Sequence, residues 1–413
     1  MTAADVLLSV VADNRRGRRR ALPSWCTAHP ETLAAILSAY ADDDAPVLIE
    51  ATCNQVNQDG GYTGMTPANF RRFVEQLAVA ANVDPGRIVL GGDHLGPNPW
   101  RHLTAREAMR KAGDLVKAYV EAGYVKIHLD ASMRCADDSA LSEPDIAERA
   151  ADLCAIAEAA SGGSCVYVVG TEVPIPGGET TPLSAHSVTP AANVSRTLDL
   201  HAKAFAARGV ADAMQRVSAI VVQPGVDFNN ESVVEFDKAA AAPLAQALAE
   251  HPSIAFEAHS TDFQSDAALA DLVALGCAFL KVGPELTFAF REAAFELAAS
   301  ERPFSGLGDS EIVRALEAAM EAEPADWRPY VVAGPNERID RLFGLSDRVR
   351  YYWGKPGVRA ALQALVQRVG AAPVRAGVLR QFCGEGGSAD IAGRRVGAVV
   401  SRYRIAAGES LRG

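Results

Sequence analysis

The sequence lacks the patterns that mark secreted and membrane proteins. Its seven cysteines are scattered, odd in number and contain no Cys-x-x-Cys pair, which argues against a disulfide framework and indicates reduced thiols. No apolar run reaches the roughly 18 residues that a membrane-spanning helix needs. The apolar patch near the N-terminus is followed by basic residues rather than preceded by them, which is unlike a signal peptide. We therefore expect a cytoplasmic protein.

Positive charge is also scarce. The chain has 40 Lys and Arg residues against 51 Asp and Glu residues, and its formal net charge is −11. An acidic surface repels the phosphates of nucleic acids and of anionic lipids, so we expect neither nucleic acid nor a membrane as a partner. The 413 residues are enough for two or three domains, or for one α/β barrel of about 250 residues with an extension.

Short apolar runs alternate with helical segments along most of the chain. Each run ends in Gly, Pro or a polar cluster and precedes a segment with apolar residues at three- and four-residue spacing. Strands that are apolar almost throughout and alternate with helices form a parallel sheet covered on both faces. The eight runs are ALPSWC (21–26), APVLIEA (45–51), RIVLGG (87–92), YVKIHL (124–129), CVYVVG (165–170), SAIVVQ (218–223), SIAFEA (253–258) and AFLKVG (278–283).

Eight such units predict an α/β fold, a (β/α)8 TIM barrel with a helical C-terminal extension. An open doubly wound sheet is the competing fold. It would be favoured by Gly-x-Gly-x-x-Gly after a strand, but neither this motif nor a P-loop is present. The alternation stops near residue 305. We predict a barrel over residues 1–305 and a mostly helical extension over 306–413 packed on it, with an irregular, Gly-rich stretch from Cys383 onwards.

Polar residues stand at the carboxyl ends of the predicted strands, where barrel enzymes place their active sites. An unpaired charge inside such a core costs on the order of several kcal/mol. Polar residues at every strand end therefore indicate a functional site. The residues are Thr27, His29, Glu50, Asn54, Gln55, Asp93, His94, Lys126, His128, Asp130, Glu172, Gln223, Glu257, His259, Ser260, Thr261 and Lys281.

Each of these residues also has a structural interpretation. Asp93 and His94 could form a hydrogen-bonded turn, and His259 could be a satisfied core histidine. Taken together, two histidines and a carboxylate from different strands could hold a divalent metal such as zinc, with a carboxylic acid nearby as acid or base. We expect the histidines in helical and loop segments to lie on the surface; these are His102, His186, His201 and His251.

Several long strings in the chain resemble one known family. The most specific are LPSWCTAHPETLAAIL, VLIEATCNQVNQDGGYTGMTPANF, LGGDHLGPNPW, VVGTEVPIPGGE, FEAHSTDFQ and SDRVRYYWGKPGV. On these strings the chain resembles the tagatose-bisphosphate aldolase non-catalytic (Z-type) subunits over nearly its whole length. Members of that family have also been labelled tagatose-6-phosphate kinases, but no nucleotide-binding loop supports kinase activity here.

More distantly, the pattern is similar to the catalytic class II ketose-bisphosphate aldolases, which are metal-dependent barrels. The resemblance implies that Asp93 exchanges the proton of the substrate's C4 hydroxyl and that His94 and His259 bind the metal. It also matches Asp130 with the aspartate of an Asp-Ala/Gly-Ser motif on the fourth strand, whose serine corresponds to Ser132. Glu172 corresponds to the glutamate on the fifth strand.

Two departures from the aldolase pattern bear on function. Gln223 stands in place of a metal-binding histidine on the sixth strand, and an amide oxygen is a poorer zinc ligand than an imidazole. Ser260, Thr261 and Asp262 replace a Gly-Gly-Ser phosphate loop, which weakens the expectation of a second substrate phosphate.

The residues and the resemblance together predict three groups of site residues. The catalytic residues are Asp93, Asp130 and Glu50. The ligands of a divalent metal, expected to be zinc, are His94, Glu172, Gln223 and His259. The substrate-binding residues are Asn54, Gln55, His128, Ser132, Ser260, Thr261 and Lys281.

Two functions fit these residues. The first is a metal-dependent ketose-6-phosphate 4-epimerase that interconverts tagatose 6-phosphate and fructose 6-phosphate by retro-aldol cleavage and aldol re-formation. The second is a non-catalytic subunit that stabilises and activates a class II tagatose-1,6-bisphosphate aldolase chain. We favour the epimerase, because a purely structural subunit has no need to keep the acid and metal ligands together.

The expected partners are a phosphorylated ketose and either an aldolase catalytic subunit or further copies of this chain. The aromatic and basic segment RVRYYW (348–353) is open to two interpretations. It is a candidate interface, because aromatic residues and arginine are enriched there. It could equally reach over the site and meet a phosphate.

Overall fold

The computed structural model describes residues 1–171, 188–305, 310–371, 376–384 and 390–409. The strands in chain order are β1 (Leu22–Trp25), β2 (Val47–Thr52), β3 (Ile88–Leu95), β4 (Lys126–Leu129), β5 (Val166–Val169), β6 (Val217–Val222), β7 (Asp227–Phe228), β8 (Val233–Val234), β9 (Ala255–Ala258) and β10 (Cys277–Val282). Eight of them are parallel and close into a barrel in the order β1-β2-β3-β4-β5-β6-β9-β10, with β10 paired back to β1. β7 and β8 form a separate antiparallel pair.

Helices surround the barrel, as the βα alternation predicts. They are α1 (Ala3–Arg15), α2 (Pro30–Ser38), α3 (Pro67–Ala80), α4 (Ala105–Glu121), α5 (Glu143–Ser161), α6 (Ala191–Ala207), α7 (Lys238–Ala249), α8 (Asp266–Leu275), α9 (Pro284–Ser305), α10 (Glu311–Ala322), α11 (Glu337–Phe343), α12 (Pro356–Ala371), α13 (Ala376–Cys383) and α14 (Ile391–Ala406).

The predicted (β/α)8 barrel is confirmed, and each of the eight apolar runs forms one of its strands. Every residue of β1, β4, β5, β6, β9 and β10 is buried, because helices cover one face of the sheet and the barrel interior covers the other. β3 continues to Leu95, beyond the predicted end at Gly92. Asp93 and His94 therefore belong to a strand rather than to the turn after it.

Helix α1 closes the amino-terminal end of the barrel. Its residues Leu7, Val10 and Val11 are buried against an inner layer of strand residues that includes Leu48 and Phe279. This plug leaves the opposite end, where the strands reach their carboxyl termini, as the end where a site can open.

The C-terminal residues differ from the prediction of an irregular stretch after Cys383. Helix α14 packs against α2, α8 and α9, and so forms part of the helical layer around the barrel. It is helical although Gly393 and Gly397 lie inside it, because its buried face, including Val396 and Val400, packs on the barrel. The division of the chain at residue 305 stays a prediction.

A second correction concerns the histidines that the sequence places on the surface. His102 is exposed and His251 is partly buried, but His201 on α6 is fully buried. Its Nδ1–H donates to the carbonyl oxygen of Thr197 one turn earlier, at 2.8 Å. The histidine is therefore part of the packing of this helix. His186 lies outside the described residues.

Candidate active site at the mouth of the barrel

A cavity of about 960 Å³ opens at the carboxyl ends of the strands. Its floor comes from the barrel and includes Asp93, His94, His259 and Lys281. Its other side comes from the loop after β2 and from the segment between α11 and α12. The location agrees with the placement of active sites in barrel enzymes.

Three histidines and one aspartate meet at the floor of this cavity. His94 and Asp93 come from β3, His128 from β4, and His259 follows β9. One ligand atom from each of the four lies within 4.8 Å of the others. We call these four residues the histidine cluster. Their convergence follows from parallel strands that bring their carboxyl ends to one end of the barrel.

Buried carboxylates hold two rings of the histidine cluster. Nδ1 of His94 lies 2.8 Å from Oδ2 of Asp130, and Nε2 of His259 lies 2.9 Å from Oε1 of Glu257. A histidine that binds a metal through one ring nitrogen commonly donates its other N–H to a carboxylate, which fixes the tautomer and the orientation of the ring. Both rings therefore keep one nitrogen, Nε2 of His94 and Nδ1 of His259, for another ligand.

The third ring of the cluster has an orphaned nitrogen. Nδ1 of His128 lies 3.0 Å from Oδ1 of Asp93. Nε2 of His128 is buried and has no hydrogen-bond partner among the residues that the structure describes. A buried polar atom without a partner is costly, so this nitrogen beside two other imidazoles is a candidate ligand atom.

Below the histidine cluster lies a buried network of two lysines and two glutamates. The ammonium group of Lys126 lies 2.7 Å from Oε1 of Glu50 and 2.5 Å from Oε2 of Glu257. Lys281 pairs with Glu50 and also reaches Oδ1 of Asp93 at 2.7 Å. We call Glu50, Lys126, Glu257 and Lys281 the lysine network. Buried charges of this kind are tolerated only when they are paired.

The charges of the floor leave room for a divalent cation. The buried charged groups of the histidine cluster and the lysine network are Glu50, Asp93, Lys126, Glu257 and Lys281, and Asp130, which contacts His94, adds a fourth carboxylate. Four carboxylates and two ammonium groups leave two negative charges unbalanced when the imidazoles are neutral, as metal binding requires. The donor set fits a borderline metal ion, because imidazole nitrogens are preferred ligands of zinc.

The same contacts set the ionisation of the floor. Burial by itself would raise the pKa of Asp93, but neighbouring positive groups, His94 and Lys281 foremost, hold that pKa well below its usual range. Burial opposes charge on Lys281 as well, but the carboxylates around it, led by Asp93, raise its pKa well above the usual value. Asp93 is therefore a carboxylate and Lys281 an ammonium ion at neutral pH.

The two histidines predicted to bind a metal respond differently to burial. Burial lowers the pKa of His259 to about 4, in spite of its bond to Glu257. Burial also opposes charge on His94, but Asp93 and Asp130 raise its pKa above the usual value. The difference arises because His94 contacts two carboxylates while His259 has a direct bond to one.

Two residues of this site have strained backbone conformations. His94 has φ of 49° and Ser260, next to His259, has φ of 52°, both in the left-handed region that side chains other than glycine rarely adopt. Such conformations cost about 1–3 kcal/mol each and cluster at functional sites.

The remaining predicted residues fall into three groups. Asn54, Gln55 and Ser260 line the cavity. Ser132 and Thr261 lie behind its wall: the hydroxyl of Ser132 donates to Asp130 at 2.6 Å, and that of Thr261 donates to the carbonyl oxygen of Lys281 at 2.7 Å. Two predicted catalytic residues, Glu50 and Asp130, are not among the residues that line the cavity. They make contacts within its floor instead.

The assignment of two other predicted metal ligands stays a prediction. Glu172 lies outside the described residues. The backbone N–H of Gln223 donates to the hydroxyl of Thr189 at 2.9 Å, and the backbone N–H of Thr189 donates to the carbonyl oxygen of Gln223. Gln223 is not among the residues that line the cavity. His128, predicted to bind substrate, instead stands within the histidine cluster.

Several residues of the site were not assigned a role from the sequence. Lys126 and Glu257 each stand two positions before a histidine of the cluster, and alternation along a strand places such pairs on the same face. That spacing was the available signal. The basic and aromatic side chains that Arg350, Tyr351 and Trp353 contribute to the cavity lie in the segment that the sequence left open.

A closed parallel barrel with a cavity at the carboxyl ends of its strands defines the chain as a (β/α)8-barrel protein. Within this class, the chain belongs to the GatZ/KbaZ-like family, described as D-tagatose-1,6-bisphosphate aldolase subunit GatZ/KbaZ-like, whose model matches residues 7–397. The resemblance predicted from the sequence is confirmed.

Similar proteins carry different names. The chain is 43% identical to the D-tagatose 6-phosphate 4-epimerase of Agrobacterium fabrum (strain C58), over 99% of both chains. It is 44% identical to the D-tagatose-1,6-bisphosphate aldolase subunit GatZ of Escherichia coli (strain 536), over 91% of this chain and 90% of that one.

A solved structure shares the whole architecture. It comes from Sinorhizobium meliloti 1021, is called a "probable tagatose 6 phosphate kinase", and is 43% identical. The match has a TM-score of 0.85 and covers 94% of this chain and 100% of that chain. The family relation is thus firm, whereas the names of its members do not agree on one reaction. No helix in the described part of the chain is long and apolar enough to cross a membrane.

Proposed function

We propose that this chain is a metal-dependent epimerase that acts at C4 of a ketose 6-phosphate and interconverts tagatose 6-phosphate and fructose 6-phosphate. One observation carries the proposal: three imidazoles and an ionised aspartate converge at the open end of the barrel, and two of the rings are held by buried carboxylates. The similarity to a protein named D-tagatose 6-phosphate 4-epimerase supports this choice of reaction.

The metal would be held by the ring nitrogens that the buried carboxylates leave available. These belong to His94, His128 and His259, and the resemblance to class II aldolases adds Glu172 and Gln223 as further ligands. Zinc is proposed because imidazole is among its preferred ligands. A bound divalent cation supplies Lewis-acid polarisation of the ketose carbonyl.

Simple enolisation does not invert C4, because C4 is β to the C2 carbonyl, whereas cleavage and re-formation of the C3–C4 bond can. Asp93 accepts the proton of the C4 hydroxyl. The C4–O bond becomes a carbonyl, the C3–C4 bond breaks, and its electron pair moves into the enediolate of C1 to C3. The glyceraldehyde 3-phosphate fragment turns its other face, the bond re-forms, and Asp93 returns the proton to the new C4 hydroxyl.

The contacts of Asp93 suit this role. Its Oδ1 is bound by Lys281 and lies near Nδ1 of His128, which orients the carboxylate. Its Oδ2 faces the thiol of Cys26, with the sulfur 3.9 Å away, and the residue lines the cavity. Asp130 acts through His94 in this scheme, and the remaining predicted residues Glu50, Asn54, Gln55, Ser132, Ser260 and Thr261 position the floor or bind hydroxyl groups of the sugar.

The charge of Lys281 disfavours the alternative aldolase chemistry, in which a neutral lysine forms a Schiff base with the substrate. A nucleophilic lysine must be a neutral amine, and enzymes achieve this by lowering its pKa. The carboxylates around Lys281 raise its pKa instead. Its ammonium group is therefore suited to holding Asp93 ionised and to binding an oxygen of the substrate.

The cavity also favours a substrate with a single phosphate. The backbone N–H groups of Gly283 and Glu285, at the start of α9, both donate to Oδ1 of Asp262 at 2.9 Å. The start of a helix is a ready anion-binding site, and here a side-chain carboxylate already occupies it. A second phosphate at this end of the cavity would face Asp262 rather than free N–H groups.

The proposal is tested on the chain expressed alone, with metal content and conversion of tagatose 6-phosphate to fructose 6-phosphate measured on the same sample. We expect about one divalent metal ion per chain and turnover. His259→Ala should lose both, whereas Asp93→Asn should lose turnover by several orders of magnitude and keep the metal. Metal-free protein with full activity, or metal-loaded protein without any conversion, would contradict the proposal.

A second function follows from the description of the family as an aldolase subunit and from the similarity to GatZ. In this function the chain stabilises and activates a class II aldolase catalytic subunit. It predicts that the chain co-purifies at low salt with an aldolase encoded in the same genome and lengthens the half-life of that aldolase. Turnover by the isolated chain with no such association would rule it out.

A further inference from the structure

We infer that the phosphate of the sugar is bound by the C-terminal extension, on three basic residues that line the cavity opposite the barrel floor. These residues, Arg350, Lys355 and Arg359, are called the basic wall. The inference rests on the proposed function, because it names the part of the cavity that recognises the phosphomonoester of the same substrate.

The basic wall and the histidine cluster share one cavity. Asp93, His94 and His259 lie on its floor, and the three basic residues lie in and after the turn that precedes α12. The ring of Tyr62, from the loop after β2, packs at a tilt of 60° against Tyr351, with centroids 4.7 Å apart, and connects the two sides of the cavity. A ligand bound between them would place one end against the floor and the other against the wall.

Arg350 is the central residue of the wall. Its guanidinium donates to the carbonyl oxygens of Ser346 and Asp347 and to the hydroxyl of Tyr351, the last at 3.1 Å. In the described part of the chain no carboxylate lies within ion-pair distance of it. Neutral partners fix the orientation of the group but leave its charge and further N–H donors to a ligand. Arginine in such a state is suited to an oxyanion.

The described acidic residues of this cavity pair with only one of the three basic groups of the wall. Glu323 pairs with Lys355 at 2.5 Å, and Glu31 lies 3.4 Å from the ring of His29. Asp326 also lines the cavity, but Arg359 has no ion pair in the described ranges. Arg350 and Arg359 therefore have no carboxylate within ion-pair distance in the described ranges, although Glu31 and Asp326 line the same cavity.

The pKa of Tyr351 is consistent with positive charge at this wall. Burial by itself raises the pKa of a tyrosine, because it penalises the phenolate. The guanidinium groups of Arg348 and Arg350, 4.5 and 4.6 Å from the centre of its ring, nevertheless bring the pKa of Tyr351 below its usual value.

The wall is anchored to the barrel, so that its position relative to the floor is fixed. The buried guanidinium of Arg291 on α9 binds Oδ1 of Asp347 at 2.9 Å and the carbonyl oxygens of Phe343 and Gly344 at 3.2 Å. These bonds hold the segment that leads into Arg350. Because the floor and the wall are held at a fixed separation, such a site can select a substrate by its length, with one end of the substrate bound at each side.

The experiment measures binding of tagatose 6-phosphate, unphosphorylated tagatose and inorganic phosphate to the full chain by calorimetry. Arg359→Gln is the main variant, because the residue is exposed and its loss leaves the fold intact. Arg350→Lys is the second, since it keeps the charge but removes the fork of donors. Arg106→Gln, an exposed residue on α4 away from the cavity, is the matched control.

We expect both wall variants to bind tagatose 6-phosphate about 10- to 100-fold more weakly, which is the range for one charge-assisted contact. Binding of inorganic phosphate should weaken in parallel, whereas binding of tagatose should stay the same, and the control should match the unmodified chain. Equal affinity for the phosphate ester in all variants would overturn the inference, as would a wild-type chain that binds neither phosphate compound.

The outcome for the proposed function is separate. If the chain shows no turnover but its binding of tagatose 6-phosphate still weakens in the wall variants, the epimerase proposal is refuted and the inference about the phosphate site stands.

Discussion

At the scale of single residues, the function of the site depends on how the carboxylates are shared. Glu257 contacts Lys126 through one oxygen and His259 through the other, so the same side chain belongs to the lysine network and to the histidine cluster. The lysine holds the glutamate ionised, and the glutamate orients the ring. His259, the proposed metal ligand, is therefore positioned by a residue that does not itself line the cavity.

Replacing Glu257 by glutamine tests this positioning role. The amide keeps the volume but loses the charge that stabilises the ring tautomer, so we expect metal affinity to fall about 10- to 100-fold. Competition with a chelating indicator dye measures the affinity, and Glu121→Gln, on the exposed end of α4, is the control. Unchanged metal affinity in Glu257→Gln would show that the pair with His259 is not part of a metal site.

At the scale of strands and helices, alternation explains which parts of the site the sequence revealed. Residues two apart on a strand share a face. Lys126 and His128 on β4, and Glu257 and His259 at β9, therefore both point into the barrel. The sequence identified the polar positions, but which lysine meets which glutamate depends on the register between neighbouring strands, such as Val221 opposite Glu257 in β6 and β9.

Helix α6 provides a prediction about pH. Burial lowers the pKa of His201 to about 4, against about 6.5 in an unfolded chain. The unfolded state therefore binds more protons between these values, and stability is lost as the pH falls from about 6.5 to 4. Relative to His201→Gln, the wild-type chain should lose about 3 kcal/mol of unfolding free energy over that range.

Urea unfolding at a series of pH values measures this difference. His102→Gln, an exposed position, is the control and should follow the wild-type pH dependence. Parallel curves for wild type and His201→Gln would show that the buried ring does not contribute to the acid sensitivity of the fold.

At the scale of the whole molecule, the two ends of the barrel carry different kinds of side chain. Helix α1 fills the amino-terminal end with apolar side chains, and the C-terminal extension lies over part of the other end, where it supplies the basic wall. The unbalanced negative charge of the floor lies between them. The proposed metal would therefore also act as a structural element, since it offsets charge that the barrel encloses.

Removal of the metal should lower the stability of the whole chain. At a free metal concentration of 100 times the dissociation constant, binding to the native state adds about 2.7 kcal/mol. Unfolding should thus shift to lower urea concentration after treatment with a chelator and recover when zinc is restored. His259→Ala should show no such shift, and an equal response of both proteins to the chelator would point to a metal bound elsewhere.

The sequence alone determined the barrel, because eight apolar runs between helices have few other ways to bury both of their faces. It also determined that Asp93, His94 and His259 share a site, since parallel strands bring their carboxyl ends together. It failed at α14, where two glycines lower the helix propensity and tertiary packing supplies the compensating stability.

Only the tertiary structure determined which side chains pair with each other. The lysine network depends on strand register, and the burial of His201 depends on the neighbours of α6. The place of Arg350 depends on Arg291, which lies 59 positions earlier and holds the segment before it against the barrel. Contacts across such separations are set by how the chain closes on itself, and no local pattern of residues encodes them.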